Sequence, residues 1–134
     1  MAKLDTIEGI GPAISAKLEE AGVTSCEGLL EAGASKKGRA EIAEKSGVSE
    51  GQVLKFVNHA DMMRIKGVGG EYAELLECSG VDTVPELAQR NAANLAAKMA
   101  EVNEEKKLVR SLPSESQVEG WVAQAKDLPR VVSH

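Results

Sequence analysis

Aromatic side chains are scarce in this 134-residue chain, which contains one Trp, one Tyr and one Phe. Aromatic and β-branched residues never alternate with polar ones over the length of a strand, which argues against a β-sheet protein. Alanine is abundant, and small side chains favour tightly packed short helices. Folding at this length buries roughly two-thirds of the surface of the unfolded chain, enough for a real core.

Several other signals are missing. There is no apolar run of about 18 residues and no signal-peptide pattern, so we expect a soluble, cytoplasmic protein that does not enter a membrane. Cys26 and Cys78 lack metal-ligand spacing and are expected to be buried thiols, with a disulfide or redox site as the alternative. No Walker, Cys-x-x-Cys or nucleophile-elbow pattern occurs, which predicts a protein that is not an enzyme.

The chain has fewer basic residues than acidic ones, and its formal net charge is −5. An acidic chain lacks the basic field of most nucleic-acid-binding proteins, although a local site stays open. Two basic clusters, 36–39 and 106–110, have acidic neighbours and are expected to be solvated surface; phosphate contact is the alternative. His59 is expected to be a partly exposed surface histidine.

The chain contains an internal repeat. Residues 7–23 match residues 65–81 without a gap, and seven of the 17 aligned positions are identical. A second match, between residues 49–63 and 114–128, follows at an offset of 65 instead of 58. Self-similarity of this kind predicts two copies of one structural unit.

Helix signals predict about four helices in each half. Pro12 suits the first turn of a helix that ends at about Ala21, before Gly22. Short helices are predicted over residues 26–32 and 37–45.

Two longer amphipathic helices are predicted to start at Ser49 and Ser114. In both cases glutamine follows three residues later, which is the spacing of a capping box. Their apolar residues recur at helical spacing and form a core face, with Phe56 and Trp121 at matching positions. Residues 101–107 hold much of the seven-residue insertion and are predicted to be a mobile connection.

The turn at the start of each half resembles a helix-hairpin-helix motif. The residues are Ile-x-Gly-Ile-Gly-Pro at 7–12 and Ile-x-Gly-Val-Gly at 65–69. The motif occurs in DNA repair, replication, recombination and competence proteins, and the whole pattern resembles an uncharacterised bacterial family of tandem helix-hairpin-helix domains. The resemblance implies that the glycines permit a tight turn and that the apolar residue between them points into the core.

This resemblance also implies a fold and its boundaries. The predicted class is all-α, with duplicated helix-hairpin-helix repeats packed as one compact helical unit about an approximate two-fold axis. The predicted domains are residues 1–64 for the first repeat and residues 65–134 for the second repeat with its C-terminal tail.

For the first hairpin, the resemblance implies a phosphate site made of backbone N–H groups at a helix start, helped by the helix dipole. The nucleic-acid-binding residues implied there are Gly9, Ile10, Gly11, Ala13, Ile14 and Lys17. Pro12 cannot donate a hydrogen bond, and Lys17 would add positive charge one turn further. The backbone carbonyls of Asp5, Ile7 and Ile10 would hold a monovalent cation.

For the second hairpin, the resemblance implies Gly67, Val68 and Gly69 as nucleic-acid-binding residues, but this hairpin departs from the family pattern. Gly70 replaces the proline, and three glutamates follow at helical spacing. They are Glu71, Glu74 and Glu77. Like charge beside the turn should repel a phosphate, so this hairpin is predicted to be mainly structural.

Together these features predict a binding module that holds the DNA or RNA backbone weakly and without base specificity, led by the first hairpin. A protein-interaction or scaffold domain with the same helices is the alternative, because Gly-apolar-Gly turns also build such domains. Basic charge around the hairpins would favour nucleic acid, and acidic charge a protein partner. No cofactor is expected apart from the cation.

Overall fold

Helices account for all of the regular structure in the computed structural model, which describes residues 3–133. A short 3₁₀ helix, Leu4–Thr6, precedes eight α-helices. In chain order these are α1 (Pro12–Glu20), α2 (Cys26–Ala32), α3 (Lys36–Ser46), α4 (Glu50–Met62), α5 (Gly70–Cys78), α6 (Val84–Ala88), α7 (Ala92–Lys106) and α8 (Glu115–Asp127). The predicted all-α class is therefore confirmed. Among the described helices, none has the length and apolar character needed to cross a membrane.

Serine side chains start the short helices of the first half. The hydroxyl of Ser25 accepts the N–H of Gly28 at 3.0 Å and so caps α2. The hydroxyl of Ser35 accepts the N–H of Gly38 at 3.0 Å and caps α3. Each bond satisfies one of the N–H groups that a helix start leaves without a partner. The predicted helices over 26–32 and 37–45 are confirmed, the second with one more residue at each end.

Helices α4 and α8 also start where the sequence predicts. At α8 the capping box is complete: Ser114 Oγ accepts the N–H of Gln117 at 3.1 Å, and Gln117 Oε1 accepts the N–H of Ser114 at 2.9 Å. At α4 the hydroxyl of Ser49 accepts the N–H of Gln52 at 3.2 Å and donates to Gln52 Oε1 at 3.3 Å. Local sequence thus sets both starting points.

The described residues fall into two compact units, one with residues up to 61 together with 131–133, the other with residues 62–130. In the first unit, α1 packs against α3 and the 3₁₀ helix, and α2 packs against α3. In the second unit, α8 packs against α6 and α7, and α5 packs against α7. The sequence-based boundaries placed the end of the chain with the second repeat, whereas 131–133 belong to the first unit.

The apolar faces of α4 and α8 are buried as predicted. Trp121 is 3% exposed and lies in the apolar cluster of the second unit with Val118 and Val122. Phe56, at the matching position of α4, is 2% exposed. The prediction for His59 is wrong, because its side chain is only 1% exposed. Every residue of α4 from Phe56 to Met62 is buried, so this part of the helix has no solvent-facing side.

The prediction of a mobile connection at residues 101–107 is also wrong, because α7 continues to Lys106. Val102 is 9% exposed and gives this last part of the helix a buried anchor. Asn103, which lies within α7, holds the loop that follows the helix. Its Oδ1 accepts the N–H of Val109 at 2.9 Å, and its Nδ2 donates to the Val109 carbonyl at 3.1 Å. The insertion therefore lengthens a helix and adds a clamped loop.

Replacing Trp121 with Ala should lower the free energy of unfolding by about 3–5 kcal/mol, because a large buried side chain is lost and a cavity remains. Urea unfolding followed by circular dichroism measures the change. Ser116 is exposed on the same helix, so Ser116→Ala is the matched control and should shift stability by less than about 0.5 kcal/mol. A loss under about 1 kcal/mol for Trp121→Ala would contradict its place in the core.

Candidate functional site

The first glycine turn, residues 7–11, joins the 3₁₀ helix to α1. The N–H of Ile10 donates to the Ile7 carbonyl at 3.1 Å and closes the turn. Gly9 has a φ of +93°, a conformation that residues with a Cβ rarely adopt. Ile10 is 4% exposed, so the apolar residue between the glycines is buried as the sequence implied.

The second glycine turn, residues 65–69, has the same backbone geometry. The N–H of Val68 donates to the Ile65 carbonyl at 3.1 Å, and Gly67 has a φ of +97°. Val68 is 5% exposed. Both apolar residues are buried, so neither Ile10 nor Val68 presents its side chain to a ligand.

Each turn leads directly into a helix. Gly11 is the N-cap of α1 and Gly69 is the N-cap of α5, both with extended backbone. The first bond of each helical ladder runs to these caps, from Ser15 N–H to the Gly11 carbonyl and from Ala73 N–H to the Gly69 carbonyl, at 2.9 Å in both cases. The N–H groups that precede these bonds have no acceptor within the helix.

The free helix start of α1 is accessible. Gly11 and Ala13 are exposed and Ile14 is half-buried, while Lys17 is exposed about one turn further along. No acidic side chain lies in the first turn of α1. Unbonded N–H groups and the positive end of the helix dipole both favour an anion at this position. Of the residues named for the first hairpin, Gly9, Gly11, Ala13 and Lys17 are thus exposed, Ile14 is half-buried and Ile10 is buried.

The requirement for glycine differs between the two glycines of each turn. A Cβ on Gly11 or Gly69 would meet nothing within 4 Å, and both have negative φ. Only Gly9 and Gly67 need positive φ. The expectation that both glycines are needed to make the turn is therefore corrected: the second one is compatible with a side chain, and its small size matters only for approach to the helix start.

An aromatic side chain packs against the positive-φ glycine of each turn. A Cβ on Gly9 would lie 3.4 Å from Phe56 Cε1, and a Cβ on Gly67 would lie 3.0 Å from Trp121 Nε1. A Cβ would thus be in ordinary contact with the ring at Gly9 and in a tight contact at Gly67. The long helices α4 and α8 therefore support the first and second turns respectively.

A polar clamp also ties the second turn to α8. Gln124 Oε1 accepts the N–H of Lys66 at 2.9 Å, and Gln124 Nε2 donates to the Lys66 carbonyl at 3.2 Å. Both backbone groups of one turn residue are thus bonded to a single side chain. Together with the indole packing, this clamp fixes the turn on the helix surface.

A groove of about 380 Å³ opens beside the second glycine turn. It is lined by the turn, the start of α5 and residues 109–111. Tyr72 holds residues 109–111 beside α5, because its hydroxyl donates to the Ser111 carbonyl at 2.8 Å. The Tyr72 ring in turn packs on Trp121, with ring centroids 5.3 Å apart and planes tilted by 52°. This series of contacts places Arg110 on the wall of the groove.

The sequence did not predict that Arg110 lies beside the second turn. Its cluster, 106–110, was expected to be solvated surface, with phosphate contact as the alternative, and the second turn was expected to be acidic because three glutamates follow it. Arg110 and Glu71 both line the groove, so the local charge is mixed. Arg110 lies some 40 residues beyond the turn in the chain, and no spacing pattern links two such distant positions.

The other basic cluster divides into two kinds of residue. Lys36 and Lys37 are exposed, as predicted. Arg39 is 5% exposed and donates to the carbonyls of Gly33 and Ala34, so it is a structural residue and not part of a phosphate-binding surface.

The three glutamates of α5 differ in exposure. Glu71 is exposed, whereas the two that follow it are half-buried.

The carbonyls of Asp5, Ile7 and Ile10 have the chemistry that a monovalent cation requires, since neutral carbonyl oxygens replace its hydration shell. The Ile7 carbonyl accepts the N–H of Ile10 and keeps a second lone pair. The donor set therefore fits the group that the resemblance implies. Across residues 3–133, no three or more His, Cys, Asp or Glu side chains gather where they could hold a metal ion.

Neither Cys26 nor Cys78 forms a disulfide. Cys26 is buried, and burial raises the pKa of its thiol above the usual value, against the smaller effect of the hydrogen bond with Thr6. The thiol also donates to the Lys3 carbonyl at 3.2 Å. Because the thiolate is the nucleophile, this cysteine is a packing residue and not a reactive one. Cys78 is half-buried, less than the sequence suggested.

Residues 8–128 match the model of a family described as a domain of unknown function, DUF4332. The match covers most of the chain, so the protein belongs to this family. No curated protein matched the sequence, and no solved structure matched it either. The family description states no activity. The geometry of the two glycine turns is therefore the main evidence for a function.

Replacing Gly67 with Ala should reduce stability by about 1–3 kcal/mol, because φ is positive and the new Cβ would press on Trp121. Gly69→Ala is the matched control two residues away, where φ is negative and no atom lies within 4 Å. Chemical denaturation of both variants gives the comparison. If Gly69→Ala were as damaging as Gly67→Ala, the turn would not owe its shape to the positive-φ glycine.

Proposed function

We propose that the protein is a non-enzymatic module of the helix-hairpin-helix type that binds the backbone of DNA or RNA. One observation carries the proposal: an exposed helix start with unbonded N–H groups follows a turn that is anchored by a buried apolar residue. At the first turn Ile10 is the anchor, and Gly11 and Ala13 are the exposed positions. The same arrangement occurs at the second turn, and this repetition supports a function for it.

Phosphate binding at the first turn would use the main chain. A phosphate oxygen accepts hydrogen bonds from N–H groups at the start of α1, including those of Ala13 and Ile14, and the helix dipole adds to the attraction. Lys17 supplies a full positive charge nearby. Since these groups contact phosphate and no base edge, binding would depend on backbone shape and little on base sequence.

The second turn would contribute a weaker contact. Glu71 lies in the first turn of α5 and repels a phosphate, whereas the first turn of α1 has no acidic residue. Arg110 lines the same groove and would partly offset this charge. Arginine can donate two parallel hydrogen bonds to a phosphate, which suits it to such a contact.

A monovalent cation at the carbonyls of Asp5, Ile7 and Ile10 would assist the first turn. When bound, it would place positive charge beside a phosphate. In the sequence, these carbonyls come before α1, whereas Lys17 lies within it. We propose this site as an accessory to phosphate binding, since neutral carbonyls alone attract no anion.

A protein-interaction domain is the second candidate, and the net charge of −5 favours it. Among the described residues, Leu112 is the one large hydrophobic side chain that is well exposed, at 44%. A protein partner would therefore meet a mainly polar, acidic surface. Such a partner would be basic, and its binding would not depend on the helix starts of α1 and α5.

Fluorescence anisotropy with labelled duplex DNA, single-stranded DNA and RNA tests the proposal. With about two phosphate contacts per chain, affinity should fall roughly tenfold between 50 and 200 mM salt and vary little with base sequence. Gly11→Val should abolish binding at the first turn, because the side chain blocks the helix start without needing a new backbone conformation. Lys17→Glu should weaken binding and lower its salt dependence.

Ala40→Val, at an exposed position of α3, is the control for adding a β-branched side chain. It should leave affinity unchanged, and circular dichroism should show all variants folded. If Gly11→Val bound as well as Ala40→Val, the first turn would not be the contact. Absence of binding by the unaltered protein at low salt, with all three nucleic acids, would favour the protein-interaction candidate.

Charge changes in the groove test the second turn. Glu71→Lys should strengthen nucleic-acid binding several-fold and steepen its salt dependence by about 0.9 in log–log slope, the effect of one added phosphate contact. Arg110→Glu should weaken binding. Anisotropy titrations at three salt concentrations measure both effects.

Lys107→Glu makes the same change in net charge three residues away from Arg110, at an exposed position outside the groove lining. It separates a local contact from the overall charge of the chain. Equal loss of affinity in Arg110→Glu and Lys107→Glu would mean that the groove has no specific part in binding.

A further inference from the structure

A short segment after α8 packs into the first unit. The helix ends at Asp127, and Leu128 is already extended, with φ −94° and ψ 138°. Residues 131–133 then belong to the first unit, and Val132 is only 2% exposed. A valine buried to this degree shows that the segment is part of the packed structure and not a solvated end.

The segment is bonded through its main chain. Ser133 N–H donates to the Ala34 carbonyl at 2.8 Å, and its hydroxyl lies 3.3 Å from the same oxygen. The Ser133 carbonyl accepts from Arg39 Nη2 at 2.7 Å. Both backbone groups of one residue are thus engaged, while a single side chain, Val132, provides the buried apolar contact.

Arg39 links this segment to the junction between α2 and α3. Its Nη1 donates to the carbonyls of Gly33 at 2.9 Å and Ala34 at 3.1 Å, the two residues that follow α2. The side chain is 5% exposed, and a buried guanidinium is stable only when its donors are satisfied. Ser133 supplies one of the three acceptors.

We infer that residues 131–133 form a strap that closes the α2–α3 junction of the first unit and can leave it without unfolding the second unit. The strap is held by few bonds and one valine, and segments with few buried contacts open at a lower free energy than the whole fold. Residues 3–61 therefore do not form a complete unit without the strap. This inference is independent of nucleic-acid binding.

Hydrogen exchange of the full-length protein, read by NMR at individual amides, tests the strap. Ser133→Pro removes the N–H that bonds to Ala34, and Ser133→Ala is the control because it removes the hydroxyl but keeps the N–H. Exchange of the Gly33 and Arg39 amides should become about threefold to tenfold faster in the proline variant than in the alanine variant. Amides of α5–α8 should change less than twofold.

Arg39→Lys provides a second route to the same opening. A single ammonium group cannot span three carbonyls as the planar guanidinium does, so the Gly33 amide should again exchange faster. Equal exchange at this amide in Ser133→Pro and Ser133→Ala would overturn the inference. So would an equal rise throughout the second unit, because the opening would then be global and not confined to the strap.

Discussion

Packing of an aromatic ring against a positive-φ glycine is the contact on which the rest of this structure depends. Phe56 lies against Gly9 in the first unit, and Trp121 lies against Gly67 in the second. In each case the positive φ disfavours any residue other than glycine, and at Gly67 the ring also leaves little room for a Cβ. Each glycine turn then determines where the following helix begins. The unbonded N–H groups of the candidate site are therefore positioned by a ring about 50 residues away in the chain.

The second turn shows how packing can change the electrostatics of a site. Trp121 packs on Tyr72, and Tyr72 is bonded to Ser111, so that Arg110 and Glu71 line the same groove. A turn that is followed in the sequence by three glutamates thus shares its groove with an arginine from a distant part of the chain. A charge at the turn acts on a ligand there directly, whereas salt screens the charges of the rest of the chain over about 10 Å. Local charge at the turns is for this reason a better guide to a ligand than the isoelectric point.

Much of the fold could be predicted because its signals are local. The capping serines at 25, 35, 49 and 114 bond to N–H groups three residues away, so their effect can be read directly from the sequence. The errors have a common cause in packing. Val102 and the clamp from Asn103 order a stretch that the insertion between the repeats suggested would be a mobile connection. His59 is buried because α4 has no solvent side there, which its amphipathic pattern did not reveal.

The sequence by itself determined the helical class, the helix starts and the position of both glycine turns, because each depends on residues within about one helical turn of one another. Tertiary structure decided which glycine of each turn must be glycine, that Arg110 reaches the second turn, and that Arg39 is buried. The Arg39–Ser133 bond spans 94 residues and the Tyr72–Ser111 bond spans 39. Contacts of that separation arise only when helices pack, since no periodicity or spacing in the chain encodes which distant residues will meet.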